Sequence, residues 1–127
     1  MDADGGQRGD VDRVGAAAAE VRGATLVADL LARRWVVPVV VALREGPRRR
    51  FQLEVLVSGV SPKVLTETLR HLEAVGIVQR ELVRVSDTVG AGYALTPRGH
   101  ALNELITALA AWSSAHDVTP PQERATG

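Results

Sequence analysis

The chain has 127 residues, a formal net charge of zero and no cysteine. That length suits one domain with a single modest core, and the missing thiols exclude disulfides, thiolate metal sites and thiol redox sensing. No run approaches the roughly eighteen consecutive apolar residues of a membrane span, and the polar start "MDADGGQRGD" lacks a secretory-signal pattern, so a cytoplasmic protein with no membrane partner is expected.

The zero hides a division. Residues 1–20 hold Asp2, Asp4, Asp10, Asp12 and Glu20 against Arg8 and Arg13. Between residues 21 and 100 there are twelve Lys or Arg and seven Asp or Glu, a local charge of +5. An acidic leader therefore precedes a basic body.

In chain order, the Gly- and Asp-rich leader gives way to "GAAAAEVRG". Alanines favour helix but Gly15 and Gly23 weaken it, so residues 1–20 are expected to be disordered or frayed. "ATLVADLLARRW" reads as a short helix with Leu26, Leu30 and Leu31 on one side. The valines of "WVVPVVVALREG" would suit a strand; its length, its Leu-Arg-Glu ending and the stop at Gly46-Pro47 favour a buried helix with Pro38 in the first turn. "RRRFQLEVLVSGVS" predicts a helix over about 50–57, closed by Ser58-Gly59-Val60. Ser61 can then cap a helix over 62–75, with Pro62 at its first position, Leu65, Leu69 and Leu72 inward, and Gly76 as its stop. Two helices joined by a short glycine-containing turn are the helix-turn-helix arrangement.

Two strands follow, about 77–85 and 92–95, with Ser86, Asp87, Gly90 and Gly92 in the connecting loop and Gly90-Ala91-Gly92 read as a hairpin tip. Thr96 and Pro97 open a last helix with Leu102, Leu105, Ile106, Leu109 and Trp112 on one side. The tail, residues 117–127, is expected to be disordered. The fold class is thus mainly α with a small β-hairpin, a winged helix-turn-helix over residues 21–116. The short strand after Gly76 begins the wing.

With Trp35 opening the second helix, basic residues after Gly46-Pro47, "GVSPKVLTETLRHLEAVGIVQRE", "YALTPRG" at residues 93–99 and Trp112 thirteen residues beyond Gly99, the chain resembles the HxlR-type transcriptional regulators, a branch of the MarR-like winged-helix proteins. The resemblance covers about residues 22–112. It implies a homodimer joined through its first and last helices that binds palindromic double-stranded DNA, usually near its own gene. The helix over 62–75 would enter the major groove, and the loop near Asp87 would lie over the minor groove or backbone. Three departures stand out. Arg22 occupies the position where many members carry a cysteine, Arg50 falls where the family has phenylalanine, and the wing tip "VSDTVGAG" lacks the usual basic, proline-rich character.

The candidate DNA-contacting residues are Arg48, Arg49, Arg50, Ser61, Lys63, Thr66, Glu67, Arg70 and Arg84. Arginine suits the guanine O6/N7 edge, threonine a base edge or thymine methyl, and glutamate the cytosine amino group. The bland alternative is a solvated helix face. Arg48, Arg49 and Arg50 read as phosphate contacts or as a solubility patch. Trp35, Leu105, Leu109 and Trp112 are candidates for a dimer interface or an apolar pocket for a small-molecule effector. His71, His100 and His116 lack metal-ligand spacing, and neither a nucleophile with a base nor a phosphate loop is present. No catalysis, cofactor or metal is expected. The other class of function kept open is a winged-helix protein-interaction module without DNA binding, suggested by overall neutrality and the weakly charged wing.

Overall fold

The computed structural model describes residues 3–125. Its elements are α1 (Ala3–Ala32), α2 (Val36–Leu43), β1 (Arg48–Arg49), α3 (Arg50–Leu56), α4 (Pro62–Ala74), β2 (Val78–Val85), β3 (Thr88–Leu95), α5 (Pro97–Ala115) and α6 (Pro121–Ala125). The outermost residues of the expected leader and tail, 1–2 and 126–127, lie outside the described residues.

Two stretches differ from the sequence reading at once. Helix α1 continues back to Ala3, through the leader expected to be disordered, and α6 occupies five residues of the expected tail. Propagation from a docked end explains the first. Val27, Leu30 and Leu31 rest on the core, and the alanines upstream extend the helix at little cost per residue. Further out, Arg13 bonds the Gly9 carbonyl at 3.2 Å and the Asp10 carboxylate at 2.8 Å.

The segment read as a buried helix does form α2. Its Val36, Val39, Val40 and Leu43 are all buried, each contributing about 1.5–3 kcal/mol of apolar transfer. Helix α4 starts as expected: Ser61 Oγ accepts from the Val64 N–H at 3.2 Å, and Pro62 follows it. It ends one residue earlier than expected, at Ala74. Gly76 adopts φ +78, and the Gly76 and Ile77 N–H groups bond the Glu73 and Leu72 carbonyls at 3.1 and 2.8 Å, the double closure that satisfies a helix's last acceptors. Leu65, Leu69 and Leu72 face a core shared with α2, Leu53 of α3, Ile77, Val78, Leu95 and α5 residues Leu102 and Ile106.

The sheet corrects the reading of the wing. Strands β2 and β3 pair along their whole length, from Val78↔Leu95 to Val85↔Thr88, leaving only Ser86 and Asp87 as the turn. Ser86 takes φ +54, the left-handed conformation that two-residue hairpin loops require. Gly90 and Gly92, expected in the loop, therefore lie inside β3, opposite Val83 and Glu81. Strand β1, absent from the sequence reading, pairs on the other edge of β3 with Arg48↔Tyr93 and Arg49↔Gly92, giving the order β1-β3-β2. Gly92 permits that approach, because a Cβ there would stand 2.6 Å from the Arg48 carbonyl oxygen and 2.5 Å from Val83 Cγ2.

Candidate nucleic-acid interface

Helix α4 is strongly amphipathic, with Leu65, Thr68, Leu69 and Leu72 buried and Lys63, Glu67 and Arg70 exposed. Positions 63, 67 and 70 fall on one stripe of a 3.6-residue helix. Lys63 and Glu67 approach to 4.0 Å, a contact too exposed to hold either side chain firmly. Among the described residues nothing hydrogen-bonds or ion-pairs with Arg70. Thr66, by contrast, is engaged. Its hydroxyl donates to the Pro62 carbonyl at 3.0 Å and accepts from Arg50 Nη1 at 2.8 Å.

The three arginines read as one patch point three ways. Arg48 Nε reaches back toward the Ala42 carbonyl at the end of α2, at 3.4 Å. Arg50 braces α3 against α4: Nη2 donates to the Pro62 carbonyl at 2.8 Å and Nε to Glu54 at 3.2 Å, besides the bond to Thr66. Its fork offers five N–H donors, so some remain for a phosphate. Arg49 turns to the wing, where Nη1 donates to Thr88 Oγ1 at 3.3 Å and Cζ lies 5.5 Å from the Phe51 ring centroid. Its backbone N–H donates to Gln52 Oε1 at 2.9 Å, tying the start of α3.

On the wing, Arg84 is exposed and also free of hydrogen bonds and ion pairs among the described residues. Arg80 is committed: Nε donates to Glu73 at 2.8 Å, joining β2 to the end of α4. That hydrogen bond, and then the Glu73 charge, raise its pKa further. Ser61 serves as a helix cap, and its donor proton stays available.

The apolar candidates separate. Trp35 is half-buried beside Gly59, with the Arg34 guanidinium 4.9 Å from its ring centroid. Trp112 stacks on His116 at 4.5 Å. Leu105 and Leu109 line a crevice of about 330 Å³ with Gly23, Ala24, Val27, Ala28 and Leu31 of α1, so α1 and α5 lie side by side. Exposures of 40% for Leu105, 49% for Leu109 and 55% for Trp112 leave a wide apolar strip on α5 open to solvent. A second cavity, about 440 Å³, lies between α1 and the end of α4, lined by Leu26, Val27, Asp29, Leu30, Arg33, His71 and Val75. Sequence reasoning missed both this cavity and the roles of Thr88, Gly90 and Gly92. The alternation of glycines at 88 + 2 and 88 + 4 was the available sign that they share a strand face.

Among the described residues no three His, Asp or Glu side chains group as a metal site, and no helix is long and apolar enough to cross a membrane.

A helix-turn-helix with an outward polar stripe on its second helix, flanked by a two-stranded wing, defines a winged-helix DNA-binding protein. The model of the HxlR-like helix-turn-helix family matches residues 30–120, and the chain belongs to that family. It is 33% identical over 86 residues to the HTH-type transcriptional regulator YvaP of Bacillus subtilis (strain 168), covering 68% of this chain and 79% of YvaP. A solved MarR-family transcriptional regulator from Enterococcus faecalis V583 superposes with a TM-score of 0.66 at 28% identity, covering 74% of this chain and 84% of that one. Quinone-bound YodB from Bacillus subtilis gives a TM-score of 0.59 at 32% identity, covering 69% and 90%. The protein is a transcriptional regulator of the helix-turn-helix type, not an enzyme.

Proposed function

We propose that the protein acts as a homodimer on a pseudo-palindromic operator, its two α4 helices reading successive major grooves and its wings resting on the flanking backbone. The observation that carries this reading is the division of labour on α4. Its inner face is fixed by the core and by Arg50, while Lys63, Glu67 and Arg70 stand outward. A packed helix with an exposed polar edge is suited to base readout. The open strip of Leu105, Leu109 and Trp112 beside α1 supports pairing of two copies through α1 and α5. Two-fold symmetry then sets half-sites about one helical turn apart, or a multiple of it.

The test is an electrophoretic titration of a duplex carrying the DNA upstream of the protein's own gene. A guanine contact is worth about 1–3 kcal/mol, so Arg70→Ala should weaken binding by roughly 5- to 150-fold. Binding as tight as the parent's would remove Arg70 from the reading surface. If the parent itself gives no shift and no salt-dependent retention on heparin, the interaction-module reading takes its place.

A second reading, response to an effector, is favoured by the cavity between α1 and α4. Its volume of about 440 Å³ suits a small molecule, and its walls join the proposed dimer helix to the reading helix. A ligand filling it would favour one spacing of the two α4 helices over another. YodB has been solved with a quinone bound, but this chain has no cysteine, so any quinone here would bind without forming a thiol adduct. A panel of quinones and aromatic acids should raise the thermal midpoint of the parent, and Val75→Trp, which places a bulky ring in the wall of the cavity, should reduce the shift. No shift across the panel would count against an effector of this class.

A further inference from the structure

The wing poses a problem for the DNA-binding reading. Beyond Arg84, the stretch "VSDTVGAG" contains a single formal charge, Asp87, and that charge repels phosphate. The cation comes from elsewhere in the chain. Strand β1 pairs Arg49 with Gly92, so the Arg49 side chain emerges on the face of β3 that carries Thr88, Gly90 and Gly92. There the guanidinium lies over Gly90. A Cβ at that position would stand 2.6 Å from both Cζ and Nη2 and 3.0 Å from Nε. The bare backbone of Gly90 is thus a seat shaped for a flat group.

Two further contacts fix the group in that seat. Nη1 donates to Thr88 Oγ1 at 3.3 Å, and the Thr88 hydroxyl in turn donates to the Val85 carbonyl across the turn at 3.1 Å, which leaves its lone pairs toward the arginine. Phe51 of α3 flanks the guanidinium at 5.5 Å. One N–H of five is used, and the bond to Thr88 lies at the surface. A held arginine with free donors loses less side-chain entropy on meeting a phosphate than a loose one.

We infer that Arg49 is the phosphate-binding group of the wing, and that Gly90 is the positioning residue that seats it. The inference rests on the DNA-binding reading above and deepens it. The ligand is the sugar–phosphate backbone of duplex DNA beside the Ser86-Asp87 turn, recognised without regard to base. Arg84 stands on the other face of the hairpin, paired with Val89, so the two cations would address the backbone from opposite sides of the wing.

The test measures the salt dependence of binding to a random-sequence 40-base-pair duplex by fluorescence anisotropy, for the full chain and its variants. Arg49→Ala should flatten the log–log slope by about one unit. Arg49→Lys, which keeps the charge, should restore most of it. Gly90→Ala should flatten the slope by part of what Arg49→Ala removes, because the new methyl displaces the guanidinium but leaves its charge on a flexible chain, and the double variant should go no further than Arg49→Ala. Gly90 has no left-handed φ, and the three atoms nearest the added methyl all belong to the end of a flexible side chain. Circular dichroism checks the fold. If Gly90→Ala does not fold, Thr88→Val, which removes the tether and keeps the shape, carries the same expectation in reduced size. A parent-like slope in Arg49→Ala, or in Gly90→Ala while Arg49→Ala is flattened, overturns the assignment although the parent binds DNA. A parent that does not bind the duplex overturns the DNA-binding reading itself, and this inference with it.

Discussion

Thr96 shows how much one hydroxyl holds together. It donates to the Gly76 carbonyl at 2.5 Å and accepts from the Gly99 N–H at 3.0 Å, so the cap of α5 is also the tie to the turn that closes α4. Thr96→Ala should therefore cost about 1–2 kcal/mol, near the upper end for a lost cap, as a lowered urea midpoint with an unchanged slope. Arg50 and Arg70 should separate in the same assay. Arg50→Ala removes bonds to Thr66, Pro62 and Glu54 and is expected to lose about 1–2 kcal/mol of stability. Arg70→Ala, at an exposed position with no such bonds among the described residues, should stay within about 0.5 kcal/mol of the parent. A stability loss at Arg70 equal to that at Arg50 would contradict this division.

The elements that could be read from the sequence are those whose signals are local. Ser61-Pro62 and Thr96-Pro97 mark two helix starts and Gly76 one helix end, and each functions so in the structure. Strand β1 could not be read this way. It is two residues long, it lacks any alternation, and its only reason to be a strand is the β3 edge more than forty positions away. The same distance explains Gly90 and Gly92. Glycine near a hairpin is ordinarily a turn former, whereas here the cross-strand ladder keeps both in the strand and a neighbouring arginine and carbonyl use the space. The candidate residues shared this limit: the polar stripe of α4 was visible from periodicity, but the three directions of Arg48, Arg49 and Arg50 were not. Gly92→Ala tests the packing directly. Its methyl would meet the Arg48 carbonyl and Val83, so a loss of about 1–3 kcal/mol is expected, with faster amide exchange at the β1–β3 pairing. Parent-like stability and exchange would show that the strands need no such closeness.

For the molecule as a whole, neutrality is a sum of unlike parts. Seven of the twelve basic residues between 21 and 100 lie on β1, α3, α4 and β2, and most of the leader's acids lie on the N-terminal part of α1. The apolar strip on α5 beside α1 is the complementary feature, and two copies closing over it would bring two α4 helices to one side. Leu109→Glu should then convert the dimer to a monomer in light scattering, from twice the 13.5 kDa chain mass to once. It should weaken DNA binding far more than its distance from α4 suggests, because the second half-site is lost. The most direct measurement is the mass and salt dependence of the complex with the upstream duplex, followed by light scattering coupled to size exclusion. Two chains per duplex, released progressively as salt rises, is the expected result. One chain per duplex, or no complex at low salt, would contradict it.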